Sequence, residues 1–107
     1  MSVTYVIGFS VRPEQRERFL GLLTGVLDAM RHEASFVNAT LHTDPADRCR
    51  FLLHESWADH QEVLDVQLHR PYRTAWHESL PGLLTAPRDI SMWTPLRVDV
   101  KGAVRID

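Results

Sequence analysis

Residues 3–11 alternate strictly. Val3, Tyr5, Ile7, Phe9 and Val11 fall on one face, and Thr4, Val6, Gly8 and Ser10 on the other. Period two in β-branched and aromatic residues predicts a strand whose odd-numbered face is covered. The period then changes. Pro13 suits the first turn of a helix, with Glu14 and Glu17 near the positive end of its dipole. Phe19, Leu20, Leu22, Leu23, Val26, Leu27 and Met30 recur at helical spacing to about His32. Alternation returns over residues 35–44, with Val37, Ala39 and Leu41 on one side and Phe36, Asn38, Thr40 and His42 on the other. Residues 44–48, opening on Asp44-Pro45, read as a turn. Residues 49–57 then read as a third strand, antiparallel to the second.

Asp59 suits a helix N-cap, and Glu62 three residues on makes a capping-box pattern. Val63, Leu64, Val66 and Leu68 mark a short helix, and Pro71 interrupts it or starts the next. Tyr72, Trp76, Leu80 and Leu83 repeat at helical spacing, with a break expected near Pro81-Gly82. Residues 88–96 predict a fourth strand, with Ile90, Met92 and Thr94 opposite Ser91 and Trp93. Residues 97–107 alternate weakly and predict a short extra strand or a loose end. The order strand, helix, strand, strand, helix, strand is the split βαβ, ferredoxin-like arrangement of an α+β domain spanning 1–107, an antiparallel sheet with helices on one face. Val6, Thr40, Leu52, His54 and Trp93 then lie on the uncovered face, which is apolar for a surface facing water. With no second layer left in so short a chain, a second copy packed sheet to sheet is the expected cover, giving a homodimer.

Composition narrows the class. The 107 residues are 44% hydrophobic and 24% charged, as in ordinary globular domains. The formal net charge is −2, and the 12 lysines and arginines are scattered, which argues against a nucleic-acid partner. The single cysteine, Cys49, has no intramolecular partner and fits a reducing compartment. The first residues lack the basic segment and long apolar run of a signal peptide, and no run is long enough to span a bilayer. A cytoplasmic protein without a membrane partner is expected.

The candidate chemistry sits mostly in residues 51–61, FLLHESWADHQ. Alternation puts Glu55 with Phe51, Leu53 and Trp57 beneath the helices. A carboxylate there must be hydrogen-bonded, paired with an arginine or shifted in pKa. His54 points the other way, with His42 on the neighbouring strand. The histidines show no HxxxH, HExxH or Cys/His spacing, so no metal site is expected. His32, His60 and His69 read as exposed helix positions. Tyr5, Trp57, Tyr72 and Trp76 are each readable as core aromatics; together they would line a flat pocket suited to a planar hydroxylated ring, with His77 at its rim. No glycine-rich phosphate loop, dinucleotide fingerprint or nucleophile triad is present.

Residues 35–76 resemble the antibiotic biosynthesis monooxygenase family. The marks are LHTD ending the second strand, RF and ESW on the third, RPYRTAW entering the last helix, and ISMW near the end. The likeness extends to about Leu96. It implies a dimeric α+β barrel and oxidation of quinols or polyketide anthrones by molecular oxygen without metal or flavin. Deprotonation in such a pocket makes the ring electron-rich enough to reduce oxygen directly, so the protein supplies a base, shape and exclusion of water. Three positions depart from family patterns. The first strand has Phe9 and Ser10 where haem-degrading relatives carry an asparagine. Trp76 stands where those relatives carry a histidine, with His77 one residue on. His54 replaces a common tyrosine. Haem degradation is therefore disfavoured.

The expected activity is a cofactor-independent monooxygenase acting on a phenolic, quinol or anthrone-like ring. His54 or His77 is the expected base, since histidine titrates near neutral pH. Tyr5, Glu55, Trp57, Tyr72 and Trp76 are the expected substrate contacts. The alternatives are a ring isomerase or decarboxylase on the same fold, or a ligand-binding or structural dimer without turnover.

Overall fold

The computed structural model describes residues 2–106. Four strands form an antiparallel sheet in the order β2-β3-β1-β4: β1 (Val3–Ser10), β2 (Phe36–Asp44), β3 (Asp47–Trp57) and β4 (Asp89–Trp93). Helices α1 (Arg16–Met30), α2 (His60–Asp65) and α3 (Thr74–Leu83) accompany it. The β1-α1-β2 crossover straddles β3, so the topology is the ferredoxin-like split βαβ expected of the order of elements. No helix among the described residues is long and apolar enough to cross a membrane.

The odd-numbered face of β1 does enter the core, where Val3, Ile7 and Phe9, with Val11 just beyond the strand, are buried with Phe19, Leu23, Val26 and Met30 of α1 and Leu80 and Leu83 of α3, and Tyr5 is partly buried against them. Its centre is aromatic. Phe9 and Phe19 meet edge-on at 5.1 Å between ring centroids, and Trp76 lies 5.8 Å from Phe9 and 5.6 Å from Phe19. Such pairs each add about 0.5–1.5 kcal/mol beyond the area they bury.

Several local expectations are corrected. The helix expected from Pro13 begins with a 3-10 turn over Pro13–Gln15, and the α-helix proper starts at Arg16. Phe36 does not share a face with Asn38. The register slips between Phe36↔Trp57 and Asn38↔Ser56, so one extra residue is accommodated at Val37. That bulge turns Phe36 under the helices, edge-on to Trp57 at 5.4 Å. Asp59 caps α2 by accepting from the Gln61 amide at 2.8 Å, whereas Glu62 turns to Ser35 and Gln67 instead of closing a capping box. The third helix does not break at Pro81-Gly82 but runs through to Leu83. Pro81 has no N–H, so the carbonyl of His77 loses its partner one turn on. Residues 97–106 form a hairpin of β5 (Arg97–Val100) and β6 (Ala103–Ile106), turned at Gly102, whose φ of 80° favours glycine.

The other face of the sheet carries Val6, Thr40, His42, Leu52, His54 and Trp93, with Leu52 43% and Trp93 61% exposed. Pro95, Arg97 and Val98 approach one end of this face. There Thr4 and Ser56 are buried, with hydroxyls 2.7 Å apart.

Candidate functional site

The end of α3 is hooked onto the end of β1. The Arg12 amide donates to the Leu83 carbonyl and the Thr85 amide to the Ser10 carbonyl, each at 2.8 Å, with a β-bridge between Val11 and Leu84. The chain then runs through Pro87 into β4. A cavity of about 600 Å³ opens in the bend, lined by Arg12, His77, Leu80, Pro81, Leu84, Thr85, Ala86, Pro87, Arg88 and Ile90. His77 and Pro81 fall on its wall because positions four apart share one side of α3, next to the buried stripe of Trp76, Leu80 and Leu83, and Leu84 joins them as the extended residue that ends the helix.

Behind the cavity lies a charged group beneath the helices. Glu55 is buried near the C-terminal end of β3, directly across from Tyr5 on β1. Burial pushes its carboxyl pKa up; the Trp57 indole N–H, donating to Oε1 at 3.2 Å, and the charges of Arg73 and Arg88 pull it back part of the way. Arg73 is buried too, its guanidinium 5.8 Å from each of the Trp57 and Tyr72 ring centroids. Its Nε has no hydrogen-bond partner among the described residues. Arg88 is lowered by burial, with Glu55 opposing and Arg73 adding to the effect. His77 is lowered first by burial, then by Arg88 and Arg73, so its imidazole is neutral at pH 7 and has a lone pair to accept a proton.

Tyr5 is raised by burial and by Glu55, against Arg73, so it keeps its proton. Its hydroxyl and Nδ1 of His60 share a hydrogen bond at 2.6 Å. His60 is thus not the idle surface residue expected.

Of the expected site residues, Tyr5, Glu55, Trp57 and His77 gather around Arg73 and Arg88. Trp76 is in the aromatic core with Phe9 and Phe19, because position 76 lies on the stripe of α3 that faces α1 and β1. Tyr72 lies beyond Arg73 and donates to Oε1 of Glu33 at 3.2 Å. His54 is on the opposite face of the sheet, across from Thr40 and Val6, and lines a separate cavity of about 540 Å³ beneath the β5–β6 hairpin. His42 faces Leu52, so the two strand histidines are diagonal neighbours. Among the described residues, no three His, Cys, Asp or Glu side chains come together as a metal set. Arg73, Arg88 and His60 were not among the expected residues. Only Arg73 had a sequence signal, falling three and seven residues before Trp76 and Leu80 on an apolar stripe.

The raised Glu55 predicts a pH effect on stability. Between the unfolded and folded pKa values the native state holds the proton longer than the unfolded chain. The stability tied to that proton is therefore full below the unfolded value and lost as pH rises through the folded one. Glu55→Gln keeps an acceptor for Trp57 and removes the titration. Urea unfolding should show the variant gaining on the wild type as pH rises above about 4.3, at no more than about 1.4 kcal/mol per pH unit. Parallel pH profiles for the two proteins would contradict the shift.

An antiparallel sheet with helices on one face, and an open cavity lined by two arginines and a histidine at the end of α3, define a small α+β protein of the ferredoxin-like kind. The chain belongs to the antibiotic biosynthesis monooxygenase family, whose model matches residues 2–79. A Synechocystis protein of uncharacterised function is 26% identical over 83 residues; that match covers 78% of this chain and 56% of the relative's length. A candidate monooxygenase of Pestalotiopsis microspora is 26% identical over 107 residues, covering 94% of this chain and 89% of the relative. The crystal structure of SnoaB, a cofactor-independent oxygenase from Streptomyces nogalater, superposes with a TM-score of 0.75 at 20% identity, over 88% of this chain and 92% of that one. This last likeness is one of fold.

Proposed function

We propose that the protein is a cofactor-independent monooxygenase acting on a phenolic, quinol or anthrone-like ring, with oxygen as the second substrate. The observation that carries this reading is His77 on the wall of a largely apolar cavity that also holds Arg12 and Arg88; burial, Arg88 and Arg73 hold its imidazole below the ordinary pKa. Family membership and the candidate monooxygenase relative support it.

For an anthrone-like ring the steps balance as follows. His77 takes a proton from the ring CH2, and the resulting enolate is held by the Arg88 charge. One electron passes to oxygen, and the ring radical and superoxide join in a carbon–oxygen bond. The peroxide anion takes the proton back from His77. Loss of the second ring hydrogen to the base then forms the carbonyl as the O–O bond breaks, and the departing hydroxide leaves with that proton as water. One oxygen atom ends in the quinone and one in water. Tyr5, Glu55 and Trp57 form the polar backing, and Tyr72 holds Arg73 in place. Trp76 supports the wall from the core.

The test is oxygen uptake over a panel of hydroquinones, phenols and anthrones. Uptake above the uncatalysed rate on at least one ring is expected, with the corresponding quinone formed; none on any ring would end the oxygenase reading in favour of a binding role.

The exposed Leu52 and Trp93 support a further part of the reading, a homodimer joined through the open sheet face. Sedimentation at micromolar concentration should give twice the chain mass, and Leu52→Glu should shift it to a monomer. A wild-type monomer under those conditions would remove the dimer.

A further inference from the structure

We propose that the cavity at the end of α3 takes a substrate bearing a carboxylate, with the acid group held by Arg12 and Arg88 and an aromatic ring laid against Leu80, Leu84 and Ile90. This deepens the oxygenase reading, on which it rests for the ring's being a substrate and not merely a ligand. Among the described residues, the lining includes two arginines and a histidine and no aspartate or glutamate. Among the described residues neither Arg12 nor Arg88 makes an ion pair. Asp89, next in the chain, lies against Gly8 and lines a cavity on the other face of the sheet. The carboxyl group that Arg88 senses is Glu55, which Arg73 shares and which burial drives toward its neutral form. With two guanidiniums facing one carboxyl, positive charge is left over on the cavity side, and Arg88 is partly withdrawn from water.

A guanidinium offers a planar fork of donors that matches a carboxylate. Apart from Thr85 the rest of the wall is apolar, so a small hydrophilic anion would leave Leu80, Leu84 and Ile90 against water, whereas an aromatic acid covers them. The acid group would also fix the ring in the cavity that His77 lines, which is how remote binding energy orients a reacting carbon.

Titration of the full chain with naphthoate and with its neutral isostere naphthamide, followed by calorimetry, tests this. Naphthoate should bind about tenfold tighter or more. Arg88→Gln and the exposed Arg12→Gln should each erode that preference, and Arg88→Lys should restore part of it. Should Arg88→Gln fail to fold, Arg12→Gln keeps the question answerable. Equal affinity for acid and amide in the wild type, an undiminished preference in both glutamine variants, or inorganic phosphate binding as tightly as naphthoate would overturn the proposal. Oxygen uptake is read separately. A carboxylate preference without uptake on acidic rings sinks the oxygenase reading and leaves the site; uptake with no such preference does the reverse.

Discussion

Replacing His77 with alanine is expected to slow oxygen uptake on a responsive ring by about a hundredfold to ten-thousandfold, the usual worth of a positioned general base. The expectation follows from its surroundings. Burial and two neighbouring guanidiniums keep the imidazole neutral at pH 7, and the side chain is on the cavity wall. The same shift fixes the form of the pH profile. Activity should fall on the acid side only as His77 becomes protonated, below the ordinary imidazole value of about 6.5. His54→Ala is the control, since the whole thickness of the sheet lies between His54 and the His77 cavity. A large loss with His54→Ala and none with His77→Ala would reverse the assignment of the base.

Trp57→Ala is expected to destabilise the fold by about 3–5 kcal/mol, a large part of the stability of an ordinary domain. Trp57 is wholly buried, edge-on to Phe36 and under the Arg73 guanidinium. Trp57→Phe separates packing from polarity. It fills most of the space but removes the N–H that serves the buried Glu55 carboxyl, a loss of about 1–3 kcal/mol. Urea unfolding of both variants at one pH measures the two contributions. A phenylalanine variant as stable as the wild type would mean that Glu55 does not depend on the indole.

Alternation carried most of this architecture. Along β1 and β3 it assigned Tyr5, Glu55 and Trp57 to the helix face and His54 to the other, because each of those strands keeps period two over this stretch. It failed at Phe36, where one extra backbone residue inverts the phase and leaves no mark in hydrophobicity. It also treated Trp76 and Trp57 alike, although one meets phenylalanines and the other a carboxylate. What lies opposite a residue depends on how separate elements dock. Arg73, at the entry to α3, and Arg88, after the bend, are brought to Glu55 only by that docking, so neither could be paired with it from spacing. His60 was misread for the same reason, its partner being 55 residues away.

Glu33, just past the end of α1, has one carboxylate that accepts from Gln67, Arg70 and Tyr72 at 3.3, 3.0 and 3.2 Å. Three positions on the winding path from α2 to α3 are therefore energetically joined through a residue that is not part of the cavity wall. Substitutions at Gln67, Arg70 and Tyr72 will not add as independent sites do, because each changes how many donors the same oxygens still serve. Sequence drift along that path is thereby tied to a single acid, and replacing it would release all three constraints at once.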